Sequence, residues 1–176
     1  IENLFNVLMP YLISRYKELP LETQQLNKSL SVFVKKCLTL MDRGFVFKLI
    51  RQYMDKWSPG DPRTLQEFKF QFVQEVCSHE HYIPLNLPLT INPNHRSQPD
   101  ILNQFCLSES FCRQHFLAGL MLQEVRSSLN EIGHIRKLAV GIFKDLVAKH
   151  DLDERYQNKG QLSRIAMLYV QWFGIV

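Results

Sequence analysis

Apolar side chains recur at intervals of three and four residues along most of the 176-residue chain. This spacing places them on one face of an α-helix, whereas a half-buried strand would need strict alternation of apolar and polar residues. The most regular stripe spans residues 135–147, and similar stripes precede it. Because each helix must cover its apolar face with a neighbour, we predict an all-α fold of about seven helices.

Local signals place the ends of these helices. The first spans residues 2–18, and Pro10 is expected to kink or interrupt it. The next two helices are predicted to be antiparallel neighbours joined by a short link, and Gly44 is predicted to end the first of them. Asp61 is the predicted N-cap of a fourth helix that has Pro62 at its first position. The predicted helices after the first cover residues 21–41, 45–57, 62–79, 108–130, 135–147 and 162–173.

The sequence between residues 79 and 107 departs from the helical pattern. Pro84 and Pro88 disfavour helical geometry in the residues before them, and the apolar residues from 83 to 89 alternate with others. We predict an extended proline-containing strap, pinned across neighbouring helices by its apolar side chains. Residues 90–107 are polar, with asparagines and two prolines, and are predicted to form a long exposed loop.

The start of this segment holds the densest cluster of reactive side chains, Cys77, His79, Glu80 and His81. His79 and His81 are one residue apart, so a helix would direct them to different faces, and the spacing of zinc proteases is absent. A metal-dependent enzyme using Cys77, His79 and His81 is therefore kept only as an alternative. We predict no catalytic, cofactor-binding or metal-binding residue. A second pair of metal ligands would have to come from Cys106, Cys112 and His115.

The cysteines and the hydropathy pattern bear on the cellular compartment. The four cysteines lack the spacing of a zinc ribbon or a secreted disulfide framework, and Cys37 and Cys77 fall on apolar stripes. We expect reduced core cysteines in a cytoplasmic chain. No apolar run approaches the length of about 18 residues that a membrane span needs. The chain opens and closes in apolar sequence, so we expect residues 1–176 to be one helical segment of a larger protein.

The formal net charge of +4 is concentrated in the first part of the chain, where residues 1–70 carry 11 Lys and Arg against 7 Asp and Glu. The basic residues are densest from Lys28 to Lys56. We favour a solvated helix surface over a weak attraction to anionic membrane or an acidic partner. Nucleic-acid binding is not expected, because the aromatic residues fall on the apolar stripes and not among the basic residues.

Several stretches together resemble a known family. Residues 41–48, 79–88 and 149–156 read MDRGFVFK, HEHYIPLNLP and KHDLDERY. They resemble the central helical region of DOCK-family guanine nucleotide exchange factors, and within that family the zizimin branch. The turn at residues 58–62 and the run at residues 111–117 resemble the same branch. The resemblance covers about residues 26–176 of the chain.

The resemblance implies an irregular armadillo/HEAT-like α-solenoid. In that family, nucleotide release from Rho-family small GTPases belongs to a separate exchange domain, and membrane binding belongs to another. The segment would then be a non-catalytic scaffold that spaces the two domains. Its partners would be the remainder of the parent protein, other proteins or a second copy of the chain. The rival hypothesis is a stand-alone HEAT-like adaptor.

Overall fold

The computed structural model describes residues 1–86, 113 and 115–175. Within these ranges the chain forms eight α-helices and two 3₁₀ helices, and it contains no strand. The prediction of an all-α fold is therefore confirmed. The α-helices are α1 Glu2–Arg15, α2 Pro20–Leu40, α3 Arg43–Met54, α4 Arg63–Cys77, α5 Tyr82–Asn86, α6 Phe116–Ser128, α7 Gly133–Asp151 and α8 Lys159–Leu168, and the 3₁₀ helices are Glu154–Tyr156 and Val170–Gly174.

The chain divides into two compact units. Unit 1 comprises residues 1–80 and 131–138, and unit 2 comprises residues 81–130 and 139–176. The loop predicted at residues 90–107 and the predicted helix start at Ser108 lie outside the described residues. The first helical residue of α6 is Phe116.

In unit 1, α2 and α4 pack side by side and run in the same direction. The Nδ2 atom of Asn27 donates to the Phe68 carbonyl oxygen at 3.0 Å, and further along both helices Lys35 Nζ lies 3.0 Å from Glu75 Oε1. The intervening α3 reverses the chain between them. Because α4 begins 43 residues after α2, the spacing lies within the period of HEAT and armadillo repeats, which is about 40 to 47 residues.

A buried aromatic and polar cluster joins the three helices. The ring of Tyr53 in α3 stacks on that of Phe72 in α4, with their centroids 3.5 Å apart. Its hydroxyl donates to Asn27 Oδ1 in α2 at 2.6 Å. All three side chains are almost fully buried. The cluster therefore fixes the relative position of α2, α3 and α4 by packing and by hydrogen bonding at the same point.

Two helix boundaries near the start of the chain differ from the predictions. The helix α1 continues through Pro10 without interruption, and burial of Phe5, Met9 and Leu12 offsets the backbone hydrogen bond that the proline cannot make. Gly44 does not stop α2, which ends at Leu40. Asp42 instead caps the next helix, since its Oδ1 accepts from Phe45 N at 2.9 Å, and α3 begins before the glycine.

The start of α4 is shifted by one residue from its predicted position. Pro62 is the N-cap, and the first helical residue is Arg63. The side chain of Asp61 closes the preceding turn, because its Oδ2 accepts from Ser58 N at 2.7 Å. Gly60 has a φ of +83° in this turn, a conformation that glycine adopts without steric cost.

The prediction of an extended strap is wrong over its described part. Residues 82–86 form α5, and Pro84 is the third residue of that helix. In the first turn a proline is tolerated, because its missing N–H would have no partner within the helix. Tyr82, Ile83, Leu85 and Asn86 are all buried, so packing overrides the preference of a residue before proline for extended geometry. Leu87, Pro88 and Leu89 lie outside the described residues.

Unit 2 has its own apolar core. The helix α6 is buried along most of its length, and α7 and α8 add further apolar side chains. Phe143 in α7 stacks on Trp172 in the last 3₁₀ helix, with ring centroids 4.4 Å apart. Tyr82, Ile83 and Leu117 are among the large side chains of this unit that are fully buried.

Candidate functional site

The side chains at residues 77–81 differ in their exposure to solvent. Cys77 is fully buried in α4, His79 is buried beyond its end, and His81 is exposed. Across the described ranges, no three His, Cys, Asp or Glu side chains lie close enough to hold a metal ion. Cys106 and Cys112 fall outside those ranges. The absence of catalytic, cofactor and metal sites therefore remains a prediction from the sequence.

His79 makes a structural contact between helices. Its Nε2 lies 2.8 Å from the hydroxyl of Thr39 near the end of α2. Its backbone N–H donates to the Val76 carbonyl oxygen at 3.2 Å, as expected for a residue that follows a helix end. His79 thus ties the end of α4 to the end of α2.

Asn86, which the sequence did not single out, organises the start of α6. Its Oδ1 accepts from Ala118 N at 2.6 Å, and its Nδ2 donates to the Tyr82 carbonyl oxygen at 2.7 Å. Its own carbonyl oxygen accepts from His115 Nδ1 at 2.6 Å. His115 supplies no side-chain cap to α6, so Asn86 satisfies one of the backbone donors at that helix start.

His150 is buried near the end of α7. Its Nδ1 lies 2.9 Å from the hydroxyl of Tyr169, and its ring lies 4.6 Å from that of Tyr82. Burial and, to a lesser extent, the positive charge of Lys149 lower the pKa of His150 to about 4, although Asp153 partly opposes both. The imidazole is therefore neutral at physiological pH.

Unit 2 should lose stability as the pH falls from 6.5 towards 4. The unfolded chain takes up a proton on His150 near its ordinary pKa of 6.5, while the folded chain resists it until about 4. The folded form is therefore favoured most above pH 6.5. At about pH 4, His150 is protonated in the unfolded chain but only partly in the folded chain. The free energy of unfolding should then be lower than at neutral pH by about 3 kcal/mol.

Urea unfolding at pH 7, 6 and 5 measures this effect. The chain has two tryptophans, Trp57 in unit 1 and Trp172 in unit 2. A Trp57→Phe background leaves Trp172 as the reporter of unit 2. The variant His150→Gln should be less stable at pH 7 and should show a smaller loss between pH 7 and pH 5. Equal slopes for the two proteins would contradict the assignment to His150.

A groove lies between the parallel helices α2 and α4. Its volume is ≈ 610 Å³. Four glutamine side chains line it, and only one lining side chain, that of Leu21, is large and apolar. A second hollow of ≈ 370 Å³ adjoins it towards the ends of the two helices. The residues that line the larger groove are Leu21, Gln24, Gln25, Lys28, Ser31, Gln71, Gln74, Glu75 and Ser78.

The two charged residues that line this groove differ in their surroundings. Glu75 is paired with Lys35, whose Nζ also lies 2.7 Å from Ser78 Oγ. Lys28, in contrast, is exposed to solvent. Glu75 is thus neutralised by a neighbouring lysine outside the groove lining, and Lys28 leaves the groove with positive character.

Two other basic residues of α2 and α3 contact neighbouring side chains. The guanidinium of Arg43 lies over the ring of Phe47 at 5.3 Å, and burial lowers its pKa. Lys35 is held by Glu75. No helix in the described part of the chain is both long and apolar enough to cross a membrane.

The chain is similar to a group of much longer proteins. Residues 1–77 match the family described as DOCK6-11, TPR domain, so the similarity includes the first helix. The whole chain is 44% identical to dedicator of cytokinesis protein 9 of Homo sapiens. It is 41% identical over 96% of its length to dedicator of cytokinesis protein 11 of Danio rerio, and 33% identical over 94% to dedicator of cytokinesis protein 7 of Homo sapiens.

The chain spans 9% of the length of each of these relatives. No solved structure matches it.

Proposed function

Since the chain belongs to the dedicator of cytokinesis (DOCK) family, in its zizimin branch, we propose that it is a non-catalytic scaffold segment of a guanine nucleotide exchange factor. The parent protein acts on Rho-family small GTPases through an exchange domain that lies elsewhere in its chain. The segment spaces that domain from the membrane-binding domain. It also offers surface to partner proteins.

Similarity along the entire chain to dedicator of cytokinesis protein 9 is the observation that carries this proposal. The surroundings of the reactive side chains support the non-catalytic role. His79 and His150 are buried, and each contacts the hydroxyl of a residue distant in the sequence. Cys77 is a core residue of α4. Their contacts stabilise the packing of helices, which is what a rigid spacer requires.

Recruitment of the cytoplasmic parent protein to membranes belongs, in this proposal, mainly to its lipid-binding domain. The basic residues of α2 and α3 contribute at most a weak attraction to anionic lipid. Of these, Lys35 is paired with Glu75, and the Arg43 guanidinium lies over an aromatic ring. Surface lysines add about 1 kcal/mol each only when they lie at an anionic membrane.

The purified chain alone should not accelerate release of a fluorescent guanine nucleotide from Rho-family GTPases. The exchange chemistry requires residues outside these 176. Human dedicator of cytokinesis protein 9, which contains the matched segment within a far longer chain, is the positive control. Release that the isolated chain accelerates in proportion to its concentration would contradict the non-catalytic role.

A further inference from the structure

Four glutamine side chains line the groove between α2 and α4. None of Gln24, Gln25, Gln71 and Gln74 makes a side-chain hydrogen bond to another described residue, and all four are exposed. Each amide offers donors and an acceptor, and so matches both the N–H and the carbonyl group of a peptide backbone. Two glutamines come from each helix, so both walls of the groove carry this pattern.

We propose that this groove binds an extended peptide of a partner protein, with an acidic side chain of the peptide beside Lys28. The inference rests on the proposed scaffold function and names the kind of partner that the scaffold would hold.

The dimensions of the groove set the length of the peptide. Its lining on α2 runs from Leu21 to Ser31, which is about 15 Å of helix at 1.5 Å per residue. An extended chain advances about 3.3 Å per residue, so about four or five residues fit along it. The volume of ≈ 610 Å³ lies in the range of ordinary ligand pockets, about 300 to 1,000 Å³.

The lining also selects against other occupants. An amphipathic helix binds by placing apolar side chains in an apolar groove, and here Leu21 is the one large apolar side chain in the lining. The preference for an acidic side chain in the peptide follows from the charge of the groove lining. Glu75 is already paired with Lys35, so Lys28 is the lining charge that remains to attract a carboxylate.

Selection from a phage-displayed library of random octapeptides tests the proposal. The 176-residue chain is the bait, and each enriched peptide is then synthesised with a fluorescent label and titrated by polarisation. We expect enriched peptides to share an acidic residue. The double variant Gln71→Ala and Gln74→Ala should bind them about tenfold more weakly, since two hydrogen-bonding partners are lost.

The charge-reversed variant Lys28→Glu should also lose about tenfold in affinity for the acidic peptides, and its own selection should no longer enrich them. Exposed residues outside the groove provide matched controls. The double variant Gln157→Ala and Gln161→Ala and the variant Lys144→Glu should bind as the unmodified chain does. Circular dichroism checks that every variant retains its helical content.

Three results would overturn the proposal. They are a selection that enriches no peptide, peptides that bind the groove variants as tightly as the controls, and enriched peptides that are apolar and lack acidic residues. None of these results bears on nucleotide release, so the scaffold function would stand. Conversely, release accelerated by the isolated chain would refute the non-catalytic role and leave the peptide result unchanged.

Discussion

Replacing Asn86 by alanine should lower the free energy of unfolding of unit 2 by about 2 to 4 kcal/mol. The substitution removes the acceptor of the Ala118 N–H and the donor to the Tyr82 carbonyl oxygen. Both groups are left in a buried environment, because Asn86 itself is fully buried. The unsatisfied Ala118 N–H, the lost side-chain hydrogen bond to the Tyr82 carbonyl oxygen and a small cavity each add to the cost.

Urea unfolding followed by Trp172 fluorescence, in the Trp57→Phe background, measures this loss. The same substitution at Asn130, which is exposed in unit 2, is the matched control and should change stability by less than about 0.5 kcal/mol. If Asn86→Ala were as stable as Asn130→Ala, the amide of Asn86 would not hold the start of α6.

In unit 1, Tyr53→Ala should cost about 3 to 5 kcal/mol and Tyr53→Phe about 1 to 3 kcal/mol. The alanine variant loses the ring that stacks on Phe72 at 3.5 Å. The phenylalanine variant loses only the hydroxyl that donates to Asn27 Oδ1. The difference between the two therefore separates ring packing from hydrogen bonding.

Fluorescence of Trp57, in a Trp172→Phe background, reports the unfolding of unit 1. Tyr11→Phe is the matched control, because Tyr11 is 44% exposed and its change should be within about 0.5 kcal/mol. A double-mutant cycle with Asn27→Ala should give a coupling energy with Tyr53→Phe, since the two groups share one hydrogen bond. Additive effects would show that this hydrogen bond contributes nothing to stability.

The sequence predicted the helices whose apolar stripes are long and regular. The stripe at residues 135–147 lies within α7, and Cys37 and Cys77 are buried core residues as expected. Such features depend on the period of the helix and therefore need no knowledge of tertiary contacts. The all-α prediction depends on the same period.

The helix boundaries that were predicted wrongly lie where two structural preferences of the local sequence compete. Glycine commonly ends a helix, which favoured a helix end at Gly44. Asp42, two residues earlier, instead caps the start of α3. Pro84 disfavours helix before it, yet the burial of Tyr82, Ile83 and Leu85 stabilises a short helix around it. Local propensity is a weak effect, and tertiary packing decides such cases.

The contacts that organise the candidate sites join residues far apart in the sequence. Asn86 reaches Ala118, and the lining of the groove combines Gln24 with Gln71. No local pattern marks an asparagine as the cap of a helix that begins 30 residues later, or two glutamines on separate helices as one surface. These features became visible only with the helix packing.

The most direct test of the scaffold role is nucleotide release from a Rho-family GTPase anchored to lipid vesicles. Human dedicator of cytokinesis protein 9 would be compared with two variants. In one, the matched segment is replaced by this chain, and in the other it is replaced by a flexible glycine–serine linker. A rigid spacer fixes the distance between two domains, whereas a flexible linker does not.

We predict that the protein carrying this chain releases nucleotide on vesicles at a rate close to that of the unmodified protein. The linker variant should be slower on vesicles but unchanged with a soluble GTPase, because its exchange domain is intact. If the linker variant matched the unmodified protein on vesicles, or if this chain failed to restore the rate, the segment would not act as a spacer.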